Sequence, residues 1–304
     1  MKCSAVVAIS AFRSDEAVLA LLQAVFADPH PEVASVIVVD SLGSGRLPTE
    51  IAARGWPVRY ENADRNLGSA GNLARRVALA AELGAQWCLC MNHDANWSSE
   101  RLSAMLKLAN SRARVGAVFP VLHHGKRHNP WEDGRRSFAP SAGRRHAQLP
   151  TGSDGIEVMW SSSNGALYAT APLREGVKIM DDLWMGYEDL AYGIALFQAG
   201  WQQLVCREAV LKDIFDLAPR RVFGRDMYIP DKPAWYSYYN IRNLLLIRRR
   251  CGTVGVSYPM ILRKLVQSTL RILLLEQGKV IRLGELYRGT AAGLVQRAGK
   301  GPRP

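Results

Sequence analysis

The segment from Asp64 to Asn96 constrains the fold of this chain more than any other. It opens with a turn-rich stretch, Asn66-Leu67-Gly68-Ser69-Ala70-Gly71-Asn72, that leads into a helix of about four turns. Gly84-Ala85 breaks that helix, and a short apolar run follows, Trp87-Cys88-Leu89-Cys90-Met91. The run shows no alternation with polar residues, so a strand built from it has no face to give to water and belongs inside a sheet covered on both sides. Its end is polar, Asn92-His93-Asp94. In an extended tail, residues two apart point the same way, so an amide and a carboxylate placed like this can share a hard cation or the metal of a diphosphate. Turn, helix, strand and acidic tip in this order describe a nucleotide-sugar site more readily than a dehydrogenase site.

The same unit recurs along the chain. A first strand, Val6 to Ile9, precedes a helix expected over Asp15–Ala27 with Ser14 at its N-cap. A second, Ser35 to Val39, ends at Asp40 and enters the loop Ser41-Leu42-Gly43-Ser44-Gly45, and a third lies around Val58-Arg59-Tyr60. After the acidic tip, Glu100 to Ser111 reads as a helix and Val115 to Val121 as a fifth strand. Apolar runs alternating with helices predict an α/β chain: a mostly parallel sheet with helices on both faces. Ligands of such sheets gather beyond the carboxyl ends of the strands, where Ser10, Asp40 and Asp94 all fall. Any one of the three alone would read as a cap or turn residue; three strand ends together form a constellation.

Composition bounds the remaining choices. With 304 residues, 48% of them apolar, the chain can bury one large core or two modest ones. Its five cysteines are scattered, odd in number and without zinc-type spacing, which predicts reduced thiols in a cytoplasmic compartment. The N-terminus enters a strand at once, so no signal peptide is expected, and no long uninterrupted apolar run predicts a spanning helix. The net charge of +12 is lopsided: residues 226–304 hold 14 Lys/Arg against 4 Asp/Glu, a net of +10. Within that region Ile261, Leu262, Leu265, Val266, Leu270 and Leu273 form an apolar helical stripe opposite Arg263, Gln267 and Arg271. A basic amphipathic helix of this kind can lie on an anionic membrane surface, peripheral on the inner face of the cell membrane. It can equally be a helix packed on the rest of the protein with its basic side in water; the pattern leaves both open. Nucleic acid is not expected as a partner, because the segment lacks interleaved aromatics and no DNA-binding motif is visible.

Residues 123–155 are polar, rich in Pro and Gly and basic, as a functional or disordered loop would be. Its His123, His124 and His128 have no accompanying ligand motif and are not read as a zinc site. Beyond it, Trp184-Met185-Gly186-Tyr187-Glu188-Asp189 opens a helix. Carboxylates at a helix N-terminus have an ordinary role in complementing the macrodipole. Large side chains presented beside them by a glycine-broken loop add a second reading, a sugar-binding wall next to a general base.

These motifs together resemble family 2 glycosyltransferases, the inverting GT-A enzymes, and in particular their rhamnosyltransferase-like and galactofuranosyltransferase-like branch. The resemblance runs through nearly the whole chain. Val36 to Gly45 looks like the strand and loop that hold the nucleoside, with Asp40 on base or ribose. Asn66 to Asn72 is similar to the family's Asn-x-Gly-x-x-Gly-Asn motif, which brings in Asn66, Gly68, Gly71 and Asn72. Asn92-His93-Asp94 stands in place of its Asp-x-Asp metal motif, and Gly165-Ala166 in place of its Ser-Gly-Ala segment beside the donor sugar. Trp184 to Asp189 resembles the acceptor-side Phe-Met-x-x-Glu-Asp, which implies Asp189 as base, Glu188 as its helper and Trp184 and Tyr187 at the acceptor. Tyr238-Tyr239-Asn240-Ile241-Arg242-Asn243 is similar to the Tyr-Tyr-x-x-Arg-Asn signature of that branch, with Arg242 on the donor side.

One departure stands out. Where the family often places a metal-binding His, this chain reads Val210-Leu211-Lys212-Asp213. Either Asp213 takes the role, beside Asp94 and Asn92, or Lys212 supplies positive charge to the diphosphate directly. The resemblance implies a GT-A (Rossmann-like) catalytic domain over residues 1–225 and a basic, mainly helical C-terminal extension over 226–304. It also implies Mg²⁺ or Mn²⁺, a nucleotide-diphosphate sugar with rhamnose favoured, and a glycan or lipid-linked acceptor in cell-surface polysaccharide synthesis. A sugar-phosphate nucleotidyltransferase would need a glycine-rich N-terminal loop, which Ala8 to Arg13 lacks. A glycosyltransferase-fold scaffold without activity has only the His-to-Lys departure in its favour.

Overall fold

Strand residues alternate between the two faces of a sheet, and here both sets are apolar. Val7, Ile9, Val38, Leu89 and Met91 pack on one side, while Val6, Ala8, Ile37, Val39, Cys88 and Cys90 pack on the other. The computed structural model describes residues 4–43, 45–124, 155–213, 217–222, 225–230 and 232–301, with side chains omitted at 123, 124 and 212–230. The elements run β1 (Ala5–Ala11), α1 (Asp15–Ala27), β2 (Val33–Asp40), α2 (Arg46–Ala53), β3 (Val58–Asn62), α3 (Gly68–Glu82), β4 (Trp87–Asn92), α4 (Ser99–Asn110), β5 (Val115–His124), β6 (Ile156–Glu157) and β7 (Ala166–Ala169). There follow α5 (Ala171–Arg174), α6 (Glu188–Gln198), β8 (Gln202–Asp213), β9 (Leu217–Val222), β10 (Arg225–Pro230), α7 (Tyr236–Cys251), α8 (Tyr258–Leu275) and α9 (Lys279–Leu294).

Among the described residues eight strands form one sheet in the order β3-β2-β1-β4-β7-β5-β8-β6, and β9 and β10 form a separate hairpin. The pairs β3-β2, β2-β1, β1-β4 and β5-β8 are parallel, as the alternation of apolar runs and helices predicts. β7 enters between β4 and β5 antiparallel to both, and β6 runs antiparallel along β8. Helices α1 and α4 cover one face through Val18, Leu22, Leu102 and Met105; α3 covers the other through Leu73, Val77 and Ala80.

A third core joins the C-terminal helices to the rest. Ile241, Leu244 and Ile247 of α7, Ile261 and Ile272 of α8 and Leu286 of α9 pack with Leu190, Ala191 and Ile194 of α6 and with Ala70 of α3. The stripe expected on α8 is split by this packing: Ile261 turns inward, while Leu262, Val266, Leu270 and Leu273 stand exposed. Ser14 sits at the N-cap of α1, but its hydroxyl accepts from Phe12 N (3.3 Å) instead of from the helix. Cys88, Cys90, Cys206 and Cys251 are all buried. Among the described residues no helix is long and apolar enough to cross a membrane.

Candidate active site

The parallel register sets the strand ends side by side: Ser10 of β1 lies opposite Asn92 of β4, and Ala11 lies opposite Asp40 of β2. The Ser10 hydroxyl reaches the Asn92 amide oxygen at 3.4 Å. Asp40 is fully buried and accepts from Leu42 N (3.1 Å) and the Tyr60 hydroxyl (2.9 Å). Burial and this carboxylate push the Tyr60 phenol well up. Gly43 lets the loop close over Asp40, because a Cβ there would fall 1.9 Å from its Oδ2. Asp94 is exposed in a turn that Ala95 N closes on Asn92 O (3.1 Å).

Two residues that the sequence reading left without a role steady this edge. Asn164, buried ahead of β7, accepts from Asn92 N (3.0 Å), and the adjacent Gly165 N donates to Cys90 O (2.7 Å). Gly165 has φ +74°, and a Cβ on it would sit 2.8 Å from Leu211 Cδ2. Arg76 is buried beneath α3 and donates from Nη1 to Ala8 O (3.2 Å) and Met91 O (3.0 Å), gripping β1 and β4 just before their tips. Its only signal in the sequence is an arginine between the core positions Leu73 and Val77 of an apolar helix face.

The start of α3 meets the loop before α6 at very short range. Gly68 has φ +67°, and a Cβ there would lie 2.0 Å from Trp184 O. Ala70 N donates to that carbonyl (3.1 Å), Trp184 Nε1 donates to Asn66 O (3.2 Å), and Gly186 N donates to Ser69 Oγ (3.2 Å). An orphan donor of the helix start is thus satisfied by the loop. Asn66 Oδ1 accepts from Gly68 N (2.9 Å), Gly71 packs against Leu67, and Asn72 is buried with its Nδ2 on Val39 O (3.0 Å) and Ser41 Oγ (3.1 Å). The Asn66–Asn72 motif therefore joins three parts: the β2 end, the α3 start and the loop ahead of α6.

That loop is bent through left-handed backbone at Trp184 (φ 58°), Gly186 (φ 80°) and Tyr187 (φ 65°). Such conformations cost about 1–3 kcal/mol each for residues other than glycine and persist only where surroundings over-determine them. Here α7 does so. Arg242 Nη2 donates to Leu183 O (2.6 Å), and Asn243 Nδ2 reaches Leu183 O (3.2 Å), Met185 O (2.9 Å) and Gly186 O (2.7 Å). The bend delivers Glu188 and Asp189 to the first turn of α6. Asp189 Oδ1 accepts from Leu190 N (2.8 Å), and the Tyr187 hydroxyl donates to Asn240 Oδ1 (3.0 Å). Glu188 Oε2 is enclosed without a hydrogen-bond partner. Burial pushes the Glu188 carboxyl up, while backbone N–H groups, the Ser69 hydroxyl and the charge of Arg76 pull it back in part.

Two expected ligand contacts meet buried side chains. Trp184 is 5% exposed and packed on Tyr239 and Trp235, with ring centroids 5.1 and 5.8 Å away, so its indole is an anchor for the loop and presents no open wall. Arg242 is 0% exposed, under Tyr239 at 4.5 Å, and its remaining bonds go to Gly299 O and Asn243 Oδ1. Tyr187 and Met185 keep partial exposure beside the carboxylates. The backbone of Lys212 and Asp213 pairs with His123 and His124, but their side chains, those of the two histidines, and His128 with the rest of the 125–154 loop lie outside the described residues.

Among the described residues no group of three or more His, Cys, Asp or Glu side chains gathers as a metal cage. The tip nevertheless suits Mg²⁺ or Mn²⁺. Asp94 and the Asn92 amide offer hard oxygen donors, and such ions are commonly held by one or two carboxylates together with substrate phosphates and water.

Comparison with known proteins agrees with this fold. Residues 6–169, more than half of the chain, match the model of the family described as Glycosyl transferase family 2. No curated protein matches the chain in sequence. Among solved structures, the chain is similar to S. aureus TarS 1–349, with a TM-score of 0.59 at 12% identity over 94% of this chain and 81% of that one. It is also similar to the mannosyltransferase PcManGT from Pyrobaculum calidifontis in complex with GDP-Man and Mn²⁺, with a TM-score of 0.57 at 13% identity over 96% and 87%. TarS 1–349 in complex with UDP-GlcNAc superposes with a TM-score of 0.53 at 12% identity over 96% and 92%. At such identities the likeness to these structures is one of fold.

Proposed function

Because this chain belongs to glycosyltransferase family 2, we propose that it transfers one sugar from a nucleotide diphosphate to an acceptor hydroxyl with inversion at the anomeric carbon. The observation that carries this reading is the position of Arg76. Its guanidinium bonds Met91 O, one residue before the Asn92 tip, and its charge is one of the influences that pull the raised Glu188 carboxyl back. A buried cation thus lies between the strand tip read as the phosphate end and the start of α6 read as the acceptor end. PcManGT holds GDP-Man and TarS holds UDP-GlcNAc; a donor of the same class is proposed here. Rhamnose as the sugar, and a glycan or lipid-linked acceptor in polysaccharide synthesis at the cytoplasmic side, rest on the resemblance alone. The residues of the Tyr238–Asn243 motif that suggest rhamnose brace the acceptor-side loop.

In this reading Asp189 accepts the proton of the acceptor hydroxyl as its oxygen attacks the anomeric carbon. The bond to the diphosphate breaks on the opposite face, and the diphosphate leaves with the electron pair. Glu188, with its raised carboxyl, sits behind Asp189 as its helper. Ser10 and Asn92 border the diphosphate, Gly165 the donor sugar, Tyr187 the acceptor, and Asp40, with Gly43 close over it, the nucleoside. Mg²⁺ or Mn²⁺, held by Asp94 and Asn92, would supply a Lewis acid for charge developing on the leaving diphosphate; Lys212 and Asp213 are proposed on the same side. Residues 1–225 form the catalytic unit, and 226–304 support it.

The test is release of nucleoside diphosphate from a panel of sugar nucleotides by the purified protein. Asp189→Asn should bind donor as the wild type does and transfer at least about a hundredfold more slowly. Near-normal turnover in that variant would move the base elsewhere. Activity unchanged by magnesium, manganese or a chelator would remove the cation from the scheme and leave Lys212 as the counter-charge.

A further inference from the structure

The described C-terminal helices keep their carboxylates inside. Between residues 232 and 301 the only acidic side chains are Glu276 and Glu285, 8% and 2% exposed. Arg271 and Arg282 pair with Glu276, and Arg288 pairs with Glu285. Arg263, Lys279 and Arg297 stand exposed, so the surface these helices present is cationic; Asp182 pairs with Arg250 of α7, and no carboxylate of residues 232–301 is exposed.

Helix α8 is apolar on two sides. One side, with Ile261 and Ile272, belongs to the third core. The other carries Leu262, Val266 and Leu270 at intervals of four residues, with exposures of 63%, 50% and 50%. Leu274 continues it at 63%, and the first turn of α9, just beyond the corner, adds Val280 at 85% and Ile281 at 59%. Single exposed apolar residues are ordinary; a run along a whole helix that continues around a corner marks a surface that meets something.

We propose that this corner, the outer face of α8 with the start of α9, docks on an anionic lipid bilayer. The leucines and valines enter the boundary of headgroups and acyl chains, and Arg263 and Lys279 meet lipid phosphates. A second copy of the chain fits this face poorly, because two copies meeting there would oppose like charges without a carboxylate between them. A dissolved polyanion would engage the basic side chains and leave the leucines in water. The proposal does not depend on the transfer reaction or its donor.

The experiment is sedimentation of the full-length protein with phosphatidylcholine vesicles, with and without phosphatidylserine, over a range of salt. Binding should require phosphatidylserine and fall as salt shortens the reach of the charges. A triple variant, Leu262→Gln with Val266→Gln and Leu270→Gln, and a double variant, Arg263→Gln with Lys279→Gln, should each lower vesicle partitioning about tenfold or more. Both should keep the circular dichroism and melting temperature of the parent, since the altered side chains are exposed. No pelleting, equal pelleting with both vesicle types, or undiminished binding by well-folded variants would overturn the proposal. So would concentration-dependent self-association abolished by the triple variant in a protein that ignores lipid.

Discussion

Glu188 shows how far one side chain's surroundings can set its chemistry. An acid whose native pKa lies above its unfolded value of about 4.5 holds its proton more tightly when folded, so stability falls as pH rises from there through the native titration. Glu188→Gln removes that loss. The variant should melt close to the wild type near pH 4 and above it near pH 8, checked by thermal denaturation across the range; a difference independent of pH would mean that the charge is not strained. Gly68 makes the complementary point about the backbone. Alanine there would pay for a left-handed conformation and push the Trp184 carbonyl off Ala70 N, so Gly68→Ala should destabilise by about 2–3 kcal/mol in urea unfolding. Neither effect was visible in the sequence beyond the motif: Asn66, Gly68 and Asn72 could be picked out together, but not the loop they hold. Arg76 was missed because an arginine on a helix gives no sign of whether it faces water or two strand carbonyls.

At the scale of elements, legibility followed locality. The bounds of α1, Asp15–Ala27, follow directly from its apolar period, and β2 ends at Asp40 as expected. But β1 runs one residue past Ser10 to Ala11, and β4 stops at Asn92, which leaves Asp94 in a turn instead of on an extended tail. The direction of β7 was not legible. Four apolar residues carry no polarity, and their antiparallel insertion is decided by β4 and β5, which are distant in sequence. The stripe on α8 was seen, but its division into a buried and an exposed side depends on where α7 and α9 lie. Helix α7 departs most from the expectation: its Arg242 and Asn243 bond the backbone ahead of Glu188 and Asp189. Asn243→Ala should leave the Met185 and Gly186 carbonyls short of a donor, at a cost of about 1–3 kcal/mol, while Leu183 O keeps Arg242. Since Asn243 is buried and its amide is spent on the loop carbonyls, kcat should fall with little change in the donor KM. A wild-type kcat in that variant would show that the bent loop holds itself.

For the whole molecule, the third core decides how the chain can be divided. A boundary at residue 225 does not fall between two cores, because Ala70 of α3 and Leu190, Ala191 and Ile194 of α6 share one core with α7, α8 and α9. Removing residues 226–304 would uncover Trp184, Leu190 and Ile194, each worth about 1.5–3 kcal/mol when buried, a loss comparable with the stability of an entire domain. The full-length protein should therefore unfold in one transition followed by fluorescence and by circular dichroism, and the truncated chain should fail to fold cooperatively. Two separate transitions, or a well-folded fragment, would give the C-terminal helices independence.

The cationic C-terminal helices also give the molecule a direction. With +10 of its +12 formal charge drawn from residues 226–304, the centre of charge is displaced from the centre of mass, and the protein carries a permanent electric moment. In the field of any negatively charged wall it experiences a torque as well as a pull. Rotational diffusion is thus biased before first contact, and the tumbling protein arrives with its helical end leading.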